Sequence, residues 1–231
     1  MRLFRAFRVE QTDPERFYRQ LAADSVRQLA SYQVLVGRLV LDVGGGPGFF
    51  RDAFAAAGAR YVALDADARE LGAHGPVSPA TVVGSGMGLP VRTASVDVCY
   101  SSNVLEHVPQ PWRMADEMVR VTRPGGLVFL SYTVWLGPWG GHETSPWHYL
   151  GGRRAADRYV RHHGRPPKNV YGSSLFPVSV SDGLRWARSV RDARIVEAVP
   201  RYAPAWADVL LRAPGLRELT TWNLAIVLRR M

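Results

Sequence analysis

Cysteine is almost missing from this chain: Cys99, inside the apolar run VDVCYSS, is the single one. One thiol excludes an internal disulfide and a thiolate metal cluster, and its surroundings predict a buried structural sulfhydryl with no catalytic role. Lysine is equally scarce, with Lys168 the only one among 29 basic side chains, so arginine carries nearly all the positive charge. No apolar run approaches the roughly 18 residues of a membrane span. The opening MRLFRAFRVEQ alternates arginine with apolar residues instead of presenting a signal-peptide core. The expected location is therefore the cytoplasm. Internal repeats and low-complexity tracts are absent too.

What is present suits one sizeable globular domain: 231 residues, 47% of them hydrophobic. The net charge of +9 is unevenly placed. Residues 1–130 hold 14 basic and 13 acidic side chains, and residues 131–231 hold 15 basic and 7 acidic. The cationic second part points to an anionic partner, such as a phosphate-bearing substrate, an acidic membrane surface or nucleic acid; solubility accounts for a basic surface equally well.

Along the chain, Asp13 as a cap, Pro14 in the first turn, and Phe17, Leu21 and Val26 at helical spacing predict an N-terminal helix over residues 13–36. RLVLDVG reads as a buried strand, FFRDAFAAAGA as a helix stopped by Gly58, RYVALDAD as a second strand and TVVGSG as a third. SVDVCYSSNVLEHV supplies a fourth strand and its exit, PWRMADEMVRVTRPGG a helix ending in a Pro-Gly-Gly turn, and LVFLSYTVW a fifth strand. After Trp135 the rhythm breaks into a Gly-, Pro-, His-, Trp- and Arg-rich insertion with one helical piece, GRRAADRYVRHHG. It resumes with SVSDGLRWARSV as a helix and with ARIVEAVP and NLAIVLRR as the last two strands.

The expected fold is α/β, a Rossmann-like doubly wound, mostly parallel seven-stranded sheet with an N-terminal helix and a lid insertion after the fifth strand. As one domain over 1–231 it divides into an N-terminal helical segment (1–37), a cofactor-binding core (38–135), a substrate lid (136–178) and the C-terminal part of the sheet (179–231).

The most informative stretch is LVLDVGGGPGFF. Glycines between the first strand and its helix let a ligand approach the backbone beyond the strand ends. The order is Asp42-x-Gly44-x-Gly46-x-Gly48. A dinucleotide fingerprint needs a glycine where Phe49 stands, and a phosphate loop ending in Gly-Lys-Ser/Thr is absent, since Phe49, Phe50 and Arg51 follow the last glycine.

This spacing resembles the first motif of the class I S-adenosylmethionine-dependent methyltransferases, in their ubiquinone/menaquinone-biosynthesis-like (type 11) branch. Later landmarks arrive in that family's order: Asp65 closing YVALD, then GSGMGLPVRTASVDVCYSSNVLEHV, then RVTRPGGLVFLS. The resemblance covers residues 38–134 well and the last strands loosely. It implies S-adenosylmethionine as cofactor, with Asp42, Gly44, Gly46 and Gly48 in the loop. Asp65 and the adjoining Ala66 would lie at the ribose, Ser85, Gly86 and Met87 at the adenine, and Ser102 and Asn103 at the fourth-strand exit. Ser85 stands where the family commonly has an aspartate, so a neutral hydroxyl replaces a charged acceptor. Some relatives carry a metal-binding Glu-x-x-Glu-His pattern at that exit. Here it reads Asn103-x-x-Glu106-His107, without the first carboxylate; no metal is expected and His107 is assigned to packing.

The sulfonium methyl is already electrophilic, so the protein chiefly holds a nucleophile in line and excludes water. A hydroxyl is a poor nucleophile and benefits from a base or metal that takes its proton. Four of six histidines, His142, His148, His162 and His163, lie in the insertion. GGHETSPWHY is the expected base segment, with His142 ahead of His148 and Glu143 orienting one of them. Trp135, Trp139, Trp147 and Tyr149, with Arg153 and Arg154 from the densest positive window (Arg153 to Lys168), are the candidate substrate contacts.

The leading expectation is O-methylation of a small-molecule, glycan or lipid-linked acceptor, such as a glycolipid or polysaccharide of the cell envelope. MRLFRAFRV and WADVLLRAPGLRELTTW suit peripheral contact with the inner membrane face. Two alternatives stay open: an RNA methyltransferase, supported by basicity but lacking an amino-methylation motif or an appended RNA-binding module, and a non-catalytic scaffold that keeps the fold.

Overall fold

A computed structural model describes residues 14–72 and 79–231. Helix α1 (Pro14–Tyr32) precedes β1 (Leu39–Val43), α2 (Arg51–Ala56), β2 (Arg60–Asp65), the short α3 (Ala68–Leu71), β3 (Thr81–Val83) and β4 (Val96–Ser102). Then come α4 (Pro111–Val121), β5 (Thr122–Thr133), α5 (Gly152–His163), α6 (Val180–Ser189), β6 (Ala193–Pro200), α7 (Leu216–Thr220) and β7 (Asn223–Arg230). The strands form one seven-stranded sheet in the order β3-β2-β1-β4-β5-β7-β6. All neighbours pair parallel except β7, which runs antiparallel to both β5 and β6.

Strand alternation explains the two cores. Leu41, Val43, Cys99, Val128, Leu130, Ile226 and Leu228 face one side, where Met114 and Met118 of α4 and Leu184 and Trp186 of α6 cover them. Val40, Val98, Tyr100, Leu127, Phe129, Ala225 and Val227 face the other, beneath Leu21 and Leu29 of α1 and Phe54 of α2. With both faces covered, the central strands read as continuous apolar runs. Cys99 is fully buried, as its neighbours predict, and burial pushes its thiol pKa well up.

The expected strands are all present, with one difference at the Pro-Gly-Gly segment. It does not end α4 as a separate turn; β5 already begins at Thr122, which pairs with Val96, while Val98 pairs with Leu127. Pro124, Gly125 and Gly126 are thus extra residues bulged out of the ladder, with Gly125 at φ +78°. The expected cap Asp13 and the side chain of Phe17 lie outside the described residues, as do the N-terminal arginines, and α1 ends at Tyr32 rather than 36. Among the described residues no helix is long and apolar enough to cross a membrane.

The N-terminal edge of the sheet is tied by Asp97, a buried carboxylate between β1 and β5. It accepts from Leu39 N at 2.8 Å and pairs with Arg38 (3.1 Å) and Arg123 (3.0 Å). Both arginines are nearly half exposed, so solvent screening leaves the backbone bond as the main contribution. Asp97→Leu should therefore destabilise the fold by about 1–3 kcal/mol in urea unfolding, and Asp97→Asn, which keeps an acceptor for Leu39, by clearly less. Equal losses would assign the effect to charge instead.

Candidate functional site

Parallel strands deliver their carboxyl ends to one edge, and there the glycine loop leaves β1. Gly44, Gly46 and Gly48 have φ of +80°, +47° and +83°, a region side chains rarely adopt. At Gly44 a second constraint applies: a Cβ would lie 2.4 Å from a Val104 methyl, so the loop rests on the β4 exit. A Cβ on Gly46 would meet nothing within 4 Å, which leaves that side of the loop open to a ligand. Asp65, at the end of β2, accepts from Gly46 N at 3.1 Å and from Asp67 N at 3.0 Å. The loop and the acid expected at the ribose are thereby joined, while Ala66 beside it is exposed.

Asp42 acts from beneath this loop. It is buried and accepts from Tyr61 Oη at 2.6 Å, and a Cβ on Gly45, three residues on in the loop, would lie 3.3 Å from the Asp42 carboxyl carbon. Burial pushes its pKa up to about 7, opposed by the tyrosine hydrogen bond and helped by the charge of Asp65. Farther along the edge Ser85 is exposed and accepts from Met87 N at 3.2 Å, while Gly86 packs on Met114, whose sulfur would lie 3.0 Å from a Cβ.

Ser102 and Asn103 end β4 inside a polar network that the sequence does not announce. Asn103 adopts φ +57°, a conformation asparagine tolerates. Its Oδ1 accepts from Asn223 Nδ2 at 2.6 Å and its Nδ2 donates to Tyr202 Oη at 3.3 Å. Arg201, buried just after β6, donates to Ser102 and Ser131 from one nitrogen (2.7 and 2.6 Å) and to Ser25 of α1 from the other (2.6 Å).

The insertion after β5 returns to its root: Trp135 N donates to Val178 O at 2.9 Å. Its return arm also grips the β4 exit, because Phe176 N donates to Glu106 O at 2.7 Å and the His107 Nδ1 lies 2.7 Å from Ser174 O. A carbonyl only accepts, so His107 carries its proton on Nδ1 and presents a lone pair at Nε2. Glu106 is 1% exposed; one carboxylate oxygen accepts from Thr133 N at 2.9 Å and the other is buried with no partner among the described residues. His142, at φ +49° in the 3-10 turn His142–Thr144, comes from the outgoing arm of the lid, with its ring 5.1 Å from that of His107. Its Nε2 is likewise buried and unpartnered, and burial lowers its pKa to about 4, so the ring is neutral at pH 7. Donor atoms of Glu106, His107 and His142 all lie within 4.8 Å of one another.

The other expected lid residues are placed differently. His148 is buried inside the lid, its Nε2 3.2 Å from Gly137 O and its ring against Trp135 and Tyr149; this is a packing position, not one in the cluster. Glu143 accepts from Asn169 Nδ2 at 2.9 Å, and no hydrogen bond joins it to His142 or His148 among the described residues. It ties the two arms of the lid together instead of orienting a histidine. Trp147 carries the Arg158 guanidinium 4.0 Å above its ring, and Arg153 and Arg154 are exposed on α5. Trp139 packs at a tilt against Trp222, ring centroids 4.6 Å apart. Trp222 in turn lines a cavity of about 300 Å³ with Pro200, Tyr202, Trp206, Leu210 and Asn223, beyond the ends of β6 and β7. Sequence reasoning missed Glu106, the chemistry of His107, and this cavity; the Leu-Glu-His triplet was the available signal for the first two.

Residues 41–130 match the family model described as a methyltransferase domain. A protein of Mycobacteroides abscessus called an uncharacterized methyltransferase is 57% identical over 98% of this chain and 92% of its own length. One of Mycobacterium leprae, similarly called, is 55% identical over 99% of this chain and 88% of its own. Among solved structures, an S-adenosylmethionine-dependent methyltransferase from Mesorhizobium loti superposes with a TM-score of 0.60 at 19% identity, covering 89% of this chain and 96% of that one. The magnesium protoporphyrin IX methyltransferase from Synechocystis PCC 6803, with bound S-adenosylmethionine, gives 0.57 at 15% identity over 94% and 81%.

Two measurements check the loop. Asp65→Ala should weaken S-adenosylhomocysteine binding by at least about tenfold in calorimetric titration, the size expected for losing hydrogen bonds to a charged group, with circular dichroism unchanged; unaltered affinity would remove Asp65 from the site. Folding raises the Asp42 pKa from an ordinary 3.8 to about 7, so its contribution is full at low pH and is lost as pH rises through about 7. Asp42→Asn should flatten that part of the stability decline between about pH 4 and 7, and an unchanged pH slope would refute the assignment.

Proposed function

The chain belongs to the methyltransferase family, and we propose that it moves the methyl group of S-adenosylmethionine to a hydroxyl oxygen of an acceptor with an apolar body. The observation that carries this reading is the Glu106–His107–His142 cluster at the carboxyl ends of β4 and β5. It follows directly on Val104, whose methyls support the Gly44 turn, so the cofactor loop and the cluster are neighbours through one short segment. A hydroxyl entering the cluster meets groups able to accept its proton: the oriented lone pair of His107 and the unpartnered oxygen of Glu106. In an in-line displacement the oxygen forms its bond to the methyl carbon as the carbon–sulfur bond breaks, and drawing off the proton is what a weak oxygen nucleophile needs.

The acceptor's apolar body has support as well. The cavity beside Trp222 and Tyr202 is lined almost wholly by carbon, and Trp206, Val209, Leu216 and Leu219 are exposed on the segment that forms it. Those features favour a lipid-linked or aromatic acceptor over a bare glycan or RNA. The exposed arginines of α5 fit an acidic headgroup or an anionic membrane surface.

Methyl transfer from labelled S-adenosylmethionine should appear in hydroxyl-bearing lipid or aromatic acceptors and not in RNA. His107→Ala should lower kcat by about 10²–10⁴ at unchanged S-adenosylhomocysteine affinity. Trp222→Ala should chiefly raise KM for the acceptor. Label in RNA, or wild-type kcat for His107→Ala on an authentic acceptor, would reject the reading.

A further inference from the structure

We infer that Glu106, His107 and His142 form a binding site for one divalent transition-metal ion of the Zn²⁺ type, with the lid supplying the third ligand. This deepens the O-methyl reading and rests on it for the ion's catalytic use, though not for its binding.

Three observations converge. The cluster gathers three potential ligand atoms: a carboxylate oxygen and the His142 Nε2, both buried and unpartnered, and the His107 Nε2, left bare by the proton that the Ser174 carbonyl holds on Nδ1. Buried polar groups without partners are costly, and an ion bound among them would remove that cost. Second, both outer ligands have the supports that metal ligands usually need. The His107 ring is fixed by a carbonyl behind it, and the Glu106 carboxylate by the Thr133 amide. Third, the spacing fits. Donors on one tetrahedral zinc ion at about 2.0–2.2 Å stand about 3.3–3.6 Å apart, so donors within 4.8 Å of one another have roughly an ångström to close, within reach of side-chain rotation.

The donor set selects the metal class. Two imidazoles and one carboxylate suit Zn²⁺, Co²⁺ or Mn²⁺ better than Mg²⁺ or Ca²⁺, which prefer all-oxygen shells. Three protein ligands also leave a position open, where an acceptor hydroxyl would bind and become more acidic; the ion then holds the His107 and Glu106 lone pairs and replaces them as the group that activates the hydroxyl, whose proton passes to solvent. The missing carboxylate at Asn103 is no obstacle, because Asn103 is committed to Asn223 and Tyr202 and the third ligand arrives from the lid. His142 comes from the insertion and the other two from the β4 exit, so the ion would also clamp lid to sheet.

The test is titration of the untagged, metal-stripped chain with Co²⁺, read by its visible ligand-field bands, with S-adenosylhomocysteine binding as the folding control. One equivalent should bind with the intense bands of a low-coordinate site. His142→Ala and Glu106→Gln should each weaken binding by more than about 100-fold, whereas His162→Ala/His163→Ala, on the exposed end of α5, should leave it unchanged. Absence of one-equivalent binding in a folded, cofactor-binding protein would overturn the site, as would equal binding by the His142→Ala variant. If Co²⁺ binds but no hydroxyl acceptor is methylated, the proposed function fails while the site stands. If hydroxyl methylation proceeds at full rate in the stripped protein and no bands form, the reverse holds.

Discussion

The clamp on the Leu105–His107 turn sets the rest of the acceptor side. Thr133 at the end of β5 holds the Glu106 carboxylate, Phe176 holds the Glu106 carbonyl, and Ser174 holds the His107 ring. The partners come from two stretches of chain: Thr133 from β5, and Ser174 and Phe176 from the return arm of the insertion. If the arm lifted, His107 would lose its fixed tautomer and Glu106 its backbone bond in the same motion. Order in the insertion and the geometry of the turn are thus one property of this fold. The Trp135–Val178 bond at the insertion's root makes that order inexpensive, because both arms start from neighbouring points on the sheet edge.

The cofactor side is constrained in a complementary way. Val104 fills the space a side chain at Gly44 would need, so the loop after β1 and the turn after β4 pack directly on each other. Asp42 and Tyr61 support the same loop from below, at the cost of a carboxyl group whose ionisation is opposed by burial. A methyltransferase has to keep a sulfonium carbon and its nucleophile aligned within a few tenths of an ångström, and mutual packing of the two turns serves that alignment.

The cofactor half was legible in the sequence because its signals are local. Glycines with forced positive φ, an acid closing the second strand and alternating buried strands each occupy a few consecutive residues. The acceptor half was not. His142 and His148 sit six residues apart in similar company, and only the path of the lid decides that the first meets Glu106 and His107 while the second is buried against Trp135. Nothing local marked Arg201, which looks like a surface arginine in VPRYAP yet lies within bonding distance of Ser25, far away on α1. The bulge at Pro124–Gly126 was misjudged for a related reason: Pro-Gly-Gly favours a turn, but pairing of Thr122 with Val96 holds the strand together across it.

Arg201 and the cluster show how differently this edge treats its polar groups. The Arg201 guanidinium is buried with no carboxylate bonded to it among the described residues, yet its two terminal nitrogens donate to the hydroxyls of Ser25, Ser102 and Ser131. That network is internally satisfied at those atoms and serves to hold α1, β4, β5 and the β6 exit in register. In the Glu106–His107–His142 cluster the balance is reversed: a Glu106 carboxylate oxygen and the His142 Nε2 are buried without a hydrogen-bond partner among the described residues. Buried polar groups left without partners carry a desolvation cost that apolar replacements would avoid. Three backbone contacts, from Thr133, Phe176 and Ser174, nonetheless hold this turn in place.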